Sequence, residues 1–526
     1  MNRPLPLADA QARLSGGLDR LARGVARRVG IDPRALAAFR IAVGALVIVD
    51  LALRSRDLVA FYTDSGVLPR EALFSVYGSV YSLHAVSGEA WVQVLLFLLA
   101  GAFAFAMTVG YRTRIATVAS LLLLTSLQLR NPIILNSGDT LLRMLLLWGI
   151  FLPLDERWAI GASQNDRERA PVVSIGTVAL LGQVVLMYAT NAVHKTRSDE
   201  WMNGEALSYI FTADHLTILL GDVIVEYPAL LELFTTFWVA LILAAPLLVL
   251  LTGVPRAVLA SVFVGMHLGM LVTLRIDLFP LIVVAGLLPF YPPVVWDAAA
   301  SLASQIGLAD ALRSRLEQVG QSATPVATPV APLRVPTPSL PARAVSSGWF
   351  DRLRAGFFRV IPCVFFVLVL TSNAVAVDYA EVPEPADRAV EVADQNWRMF
   401  APNPTRTTRW FAAPGTLENG TTMDVLHDSR VDLSRPASAE DTYPTSRWRK
   451  YLSNVQYARD EGHPSYLANY LCNRWNERHE TDVEEVTVYY MYERTDPYEG
   501  TTSGDEVELQ EYDCGGELVQ SDDSAD

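Results

Sequence analysis

The apolar positions of this chain fall in long runs rather than in alternating or heptad patterns. Nine such runs lie near 36–54, 90–110, 114–130, 140–154, 172–193, 229–252, 256–274, 277–296 and 356–377. A helix needs about 20 apolar residues to cross a hydrocarbon core, so each run predicts a span, although the fourth is short for one. The connecting segments alternate in charge. Residues 1–40 hold eight arginines against three acids, and the turns near Arg112/Arg114, Arg157/Arg167/Arg169 and Arg256 are basic. The segments 55–89 and 194–228 carry more acids than bases. Cytoplasmic loops collect Lys and Arg, so the N-terminus is expected inside and, after nine crossings, the C-terminus outside. The expected fold is a polytopic α-helical membrane protein of about nine transmembrane helices with a small α+β external C-terminal domain, a multi-pass protein of the cell membrane.

Outside the runs the chain divides further. Residues 1–35 are arginine-rich, with Leu14, Leu18, Leu21 and Val25 at helical spacing. This predicts an amphipathic arm on the inner leaflet, with a merely solvated helix as the plainer alternative. Residues 36–297 form a membrane body of eight spans, 298–355 a cytoplasmic connector, 356–378 the ninth span and 379–526 the external domain. The connector is proline-rich from Thr324 to Pro341 and should be extended. In the external domain, Arg409–Ala413 and Thr422–Leu426 flank Asn419-Gly420, a hairpin signature. Val486–Tyr492 and Val507–Gln510 read as further strands, residues 446–475 as helical, and Ser521–Asp526 as disordered.

Charge sharpens this division. The net charge is −14, yet from Tyr379 onward there are 13 basic and 30 acidic residues, so the tail alone carries −17. Nothing in that balance favours nucleic-acid binding. The seven histidines show no zinc spacing, and no phosphate loop or nucleophile elbow is present, so no metal is expected. Of three cysteines, Cys363 lies in the last run, while Cys472 and Cys514 share the tail, where an oxidising exterior permits a disulfide.

Of 42 cationic side chains only Lys195 and Lys450 are lysines. Arginine stays charged at any usable pH, whereas a desolvated lysine can give up its proton. Lys195 ends an apolar run and precedes Trp201 and Gly204; Tyr188, Asn191 and Lys195 are spaced to share a helix face. The competing reading is an interfacial anchor, with a snorkelling lysine and a headgroup-level tryptophan. Asp139 suits a helix N-cap, and Arg143 lies one turn on, within reach of an i,i+4 pair. An arginine inside an apolar helix marks a lined cavity or a buried pair. His267 falls near mid-membrane in the seventh run, as a functional group or as a neutral interhelical hydrogen-bonding residue. The segment Phe61–Arg70 has ordinary turn chemistry. No inverted repeat of the transporter kind is visible.

Taken in order, Tyr62-x-Asp64-x-Gly66-Val67-Leu68-Pro69, Asn136-Ser137-Gly138-Asp139-x-x-x-Arg143, Lys195 with Trp201 and Gly204, and His267 with Phe279-Pro280 resemble the horizontally transferred transmembrane (HTTM) domain. This is the membrane domain of the vitamin K-dependent gamma-carboxylases. Gln395–Pro404 resembles the segment after the last span in prokaryotic members. The resemblance covers roughly residues 35–297 and 356–430. It implies a quinol-dependent carboxylase-like enzyme in which Lys195 is the base that starts oxygenation of a reduced menaquinone-type quinol. His267 would be a second catalytic group, and Asp139, Arg143, Tyr188 and Trp201 would line the cofactor site, covered by Trp397–Pro404. The partners implied are the lipid membrane and a secreted peptide or protein. Two departures stand out: Gly138 occupies the position where the carboxylases carry a histidine, and the external domain is reduced to about 148 residues. The alternative is a non-catalytic membrane factor for binding, maturation or export of a secreted peptide.

Overall fold

In a computed structural model the described residues are 19–78, 80–160, 170–305, 348–381, 397–459 and 461–520. The longer helices are α1 (Pro33–Arg54), α2 (Ala90–Val109), α3 (Thr113–Arg130), α4 (Ser137–Gly149), α5 (Ile175–Thr196), α6 (Pro228–Leu243), α7 (Gly253–Thr273), α8 (Phe279–Leu287), α9 (Pro293–Gln305) and α10 (Gly348–Ala376). The tail adds α11 (Ser446–Val455), α12 (His463–Asn476) and five strands: β1 (Thr407–Ala412), β2 (Pro414–Leu417), β3 (Thr422–Asp424), β4 (Val483–Asp496) and β5 (Thr501–Asp513).

Helices form over all nine predicted runs, but they differ in length. Five are long and apolar enough to cross a bilayer: α1 with its extension to Tyr62, α2, α5, α7 and residues 356–376 of α10. The pair Phe279–Phe290 and Pro293–Gln305, bent by 104°, makes a sixth if counted as one span. The other three runs give shorter or less apolar helices. Helix α4 has 13 residues and α6 has 16, against the roughly 20 that a crossing needs; α3 is 18 residues with Thr113, Thr117, Ser120, Gln128 and Arg130 on its buried face.

Helix α5 is the hub. It packs against α4, α6, α8 and α10, while α1 lies against α2 and α4. Large apolar side chains such as Leu98, Phe105, Leu122, Leu233, Val258 and Val367 face outward, as lipid contact requires. At the N-terminus residues 19–29 are helical with Leu21 and Val25 exposed, leaving an apolar stripe uncovered by protein. Leu14, Leu18 and the proline-rich connector lie outside the described residues, as do Gln395 and Asn396.

The tail sheet runs β1-β4-β2-β3 with β5 on β4, all antiparallel. The hairpin expected between 409–413 and 422–426 is built differently. Strand β1 pairs with β4, and the Asn419-Gly420 turn joins β2 to β3. The reason is local: β1 ends at Ala412 and Pro414 opens β2 after a one-residue break, and Gly420 takes the left-handed backbone (φ 76°) the turn requires. Residues 446–475 form two helices, because Gly462 at φ 75° and Pro464 start a new one. Cys472 and Cys514 are bonded, with Cα atoms 5.7 Å apart.

Candidate functional site

A cavity of about 630 Å³ lies between α5, α6, α7 and the tail. The spacing of α5 puts Tyr188, Asn191 and Lys195 on its wall, and Trp201 and His267 join them. Lys195, Tyr188, Trp201 and His267 are therefore neighbours of one space. His267 sits among aromatic rings: Trp238 at 5.6 Å, Tyr188 at 6.0 Å and Phe279 at 6.2 Å between centroids. Its Nδ1 donates to the Phe263 carbonyl at 2.8 Å, which leaves Nε2 as the acceptor nitrogen. The Tyr188 hydroxyl is buried with no hydrogen-bond partner among the described residues, an uncompensated polar group on a mostly apolar wall.

Lys195 is 2 % exposed. Its Nζ donates to the Met399 carbonyl at 3.0 Å and lies 3.1 Å from the centre of the Trp201 ring. No carboxylate pairs with it among the described residues. The same strand of backbone is gripped elsewhere: Asn191 Nδ2 donates to the Trp397 and Arg398 carbonyls at 2.8 and 2.9 Å, and Trp201 Nε1 to the Phe400 carbonyl at 3.1 Å. Four successive carbonyls of Trp397–Phe400 are thus held by α5 and its following loop. Met399 and Phe400 adopt left-handed backbone (φ 41° and 65°), which residues with a side chain keep only when their surroundings hold them there.

Asp139 and Arg143 stand elsewhere, and neither lines the cavity. The helix cap is Asn136, whose Oδ1 accepts from the Gly138 and Asp139 amides; Asp139 completes the box by accepting from the Asn136 amide at 2.8 Å. The expected Asp139–Arg143 pair is absent among the described residues. Asp139 instead binds Arg54 of α1 and Arg447 of α11, the latter with Nη1 and Nη2 at 2.6 and 2.9 Å. Arg54 also binds Asp50 at 2.7 Å and donates to the Tyr62 hydroxyl at 2.8 Å, while Arg447 reaches Asp50 at 3.2 Å. Two guanidinium groups already surround the Asp139 carboxylate, so none of it is left for Arg143. In the first loop Asp64 pairs with Arg70 at 2.7 Å, as turn chemistry suggests.

The cavity lining also holds groups that sequence reasoning missed: Arg409, Arg449 and Lys450 from the tail, and His215 from the loop after α5. Both lysines of the chain therefore face one cavity, and the scarcity that singled out Lys195 applied equally to Lys450. Burial, then the charge of Arg449, pushes the Lys450 ammonium below its usual pKa. Burial, then Arg449 and Arg409, pushes His215 down to about 3. At Gly138, on the cavity wall, a Cβ would meet Asn136 Oδ1 at 2.9 Å and the Phe279 Cα at 3.4 Å. A larger residue there needs this wall to move.

Apolar helices of bilayer length, with a buried lysine on the wall of an internal cavity, define an α-helical membrane protein. The profile of the HTTM domain matches residues 29–296, about half of the chain. The chain belongs to the HTTM family. Comparison with curated proteins and with solved structures finds no match.

Proposed function

We propose that the cavity is the active site of a quinol-dependent, carboxylase-like membrane enzyme in which Lys195 handles the proton. One observation carries this reading: a buried lysine shares a mostly apolar wall with His267 and a tyrosine hydroxyl, and among the described residues the lysine has no carboxylate partner and the hydroxyl no hydrogen-bond partner. A reduced naphthoquinol fits these residues in kind, since pockets for such molecules are largely apolar with a few polar groups. Tyr188, Trp201 and His267 would hold it, and when bound it would supply the reducing equivalents. Lys195 Nζ, already fixed by Met399 and Trp201, is positioned to take up a proton and return it. His267 Nε2 offers an acceptor on the facing wall, and the segment Trp397–Phe400 keeps water from the amine. Asp139 and Arg143 act outside the cavity, as positioning groups for α4.

The nine-crossing topology, with a cytoplasmic N-terminus and an external tail, belongs to the same reading. It is supported by the arginine distribution and by the disulfide in the tail. A second reading is favoured by the bond from Lys195 to the Met399 carbonyl: the lysine is a clamp that holds the lid, and the protein binds a secreted peptide without transforming it.

The test is a proteoliposome assay with reduced menaquinone, oxygen and labelled bicarbonate, reading quinol consumption and label fixed in acid-stable product. Lys195→Arg keeps the charge but cannot release it, so turnover should fall by about 10²–10⁴ with folding and insertion intact. Activity equal to wild type in Lys195→Arg would remove the base and leave the clamp.

A further inference from the structure

The tail carries far more acid than base, yet the charged side chains it adds to the cavity lining, at the tail-side mouth, are all cationic. Arg409, Arg449 and Lys450 line the mouth, and none of them forms an ion pair among the described residues. Their partners are neutral: Arg409 donates to the Tyr457 hydroxyl, Arg449 to the Arg275 carbonyl and Lys450 to Asn454 Oδ1. Asp277 is the one carboxylate on the cavity lining among the described residues; its charge and that of Glu440 act on Arg449, but it is a single lining carboxylate against three tail cations. The Nε of Arg409, the Nε of Arg449 and Nδ1 of His215 are buried with no hydrogen-bond partner among the described residues. Crowding like charges away from water is unfavourable unless an anion joins them.

Apolar side chains of the same loop adjoin this cluster on the lining. Leu216, next to His215, then Leu220 and Ile224 line the cavity, and Leu220 is 53 % exposed. These three side chains give the cavity an apolar stretch of lining next to His215 and the cationic groups.

We propose that the mouth binds the anionic head, carboxylate or phosphate, of a membrane lipid whose chain lies along Leu216, Leu220 and Ile224. The inference goes beyond the quinol reading and does not depend on it. The head receives hydrogen bonds from the two guanidinium groups and Lys450, and the acyl chain leaves toward the bilayer.

The full chain in neutral detergent is the material for the test. Lipid extracted from it should be enriched in acidic species over the bulk membrane; no enrichment overturns the proposal. In nanodiscs, dioleoyl phosphatidylglycerol or oleate, and not dioleoyl phosphatidylcholine, should raise the thermal midpoint. Inorganic phosphate alone should not, and an equal shift with it would mean a free-anion site in place of a lipid one. Arginines of the N-terminal arm also attract acidic lipid, so the mouth is read by difference. Arg449→Gln with Lys450→Gln should weaken the phosphatidylglycerol response about tenfold. An unchanged response in that variant overturns the assignment. Should the double variant fail to fold, Arg449→Gln and Lys450→Gln are compared singly with wild type, and an unchanged response in both overturns the assignment.

Discussion

His427 shows how one side chain's surroundings set its charge. Its Nδ1 lies 2.8 Å from Asp424 Oδ2 and its Nε2 3.0 Å from the Thr442 carbonyl. Both ring nitrogens face acceptors, so both need a proton, and the imidazolium is the form that fits. Burial works against that charge, but the hydrogen bond and charge of Asp424 outweigh it and hold the pKa above the ordinary histidine value. A raised pKa adds stability that is complete below the unfolded value of about 6.5 and disappears as pH rises through the folded value. His427→Gln should therefore lower stability by about 1–2 kcal/mol near pH 5.5, and the deficit should shrink by pH 9. A gap in thermal midpoint that stays constant across that range would contradict this. Residue chemistry was partly legible in the chain itself. Scarcity marked Lys195, and α-helical spacing set Tyr188 beside it. Arg143 was misjudged because its nearest acid in sequence was spoken for by two arginines far away in sequence.

At the scale of elements, α11 does what no local pattern announces. It is a short tail helix whose Arg447 enters a buried network with Asp50, Arg54 and Asp139, joining segments some 300–400 residues apart. The network is neutral, with two guanidinium groups against two carboxylates. Removing one partner of a buried pair costs about 3–5 kcal/mol, so Arg447→Met should destabilise the protein by that order and expose the tail to protease. Asp139→Asn in the same background restores neutrality and should recover part of the loss; if Arg447→Met unfolds like wild type, the network is not what holds the tail down. The flanking residues of α11 serve the cavity, since Arg449 and Lys450 face its mouth. Helices were legible from their apolar runs because lipid imposes a uniform requirement. Strand partners were not, since Asn419-Gly420 marks a turn but not which strand lies beyond it.

For the whole molecule, the disulfide between Cys472 and Cys514 ties α12 to the end of β5 across 42 residues. Closing a loop of that length contributes about 4 kcal/mol in the chain-entropy account, so Cys514→Ser should lower the tail's unfolding free energy by up to that amount. The same pair reports orientation. In intact cells an impermeant maleimide should label the tail only after treatment with an impermeant reductant; labelling that requires lysis would put the tail inside. The chain by itself determined that this is a membrane-borne helical protein with an acidic extramembrane tail, because hydrophobic length and charge bias act locally and sum along the sequence. Tertiary structure alone decided which polar groups meet. The cavity is assembled from α5, α6, α7, the loop after α5, the Trp397–Phe400 segment, β1 and α11. Contacts between such distant segments depend on packing geometry that no local run of residues encodes.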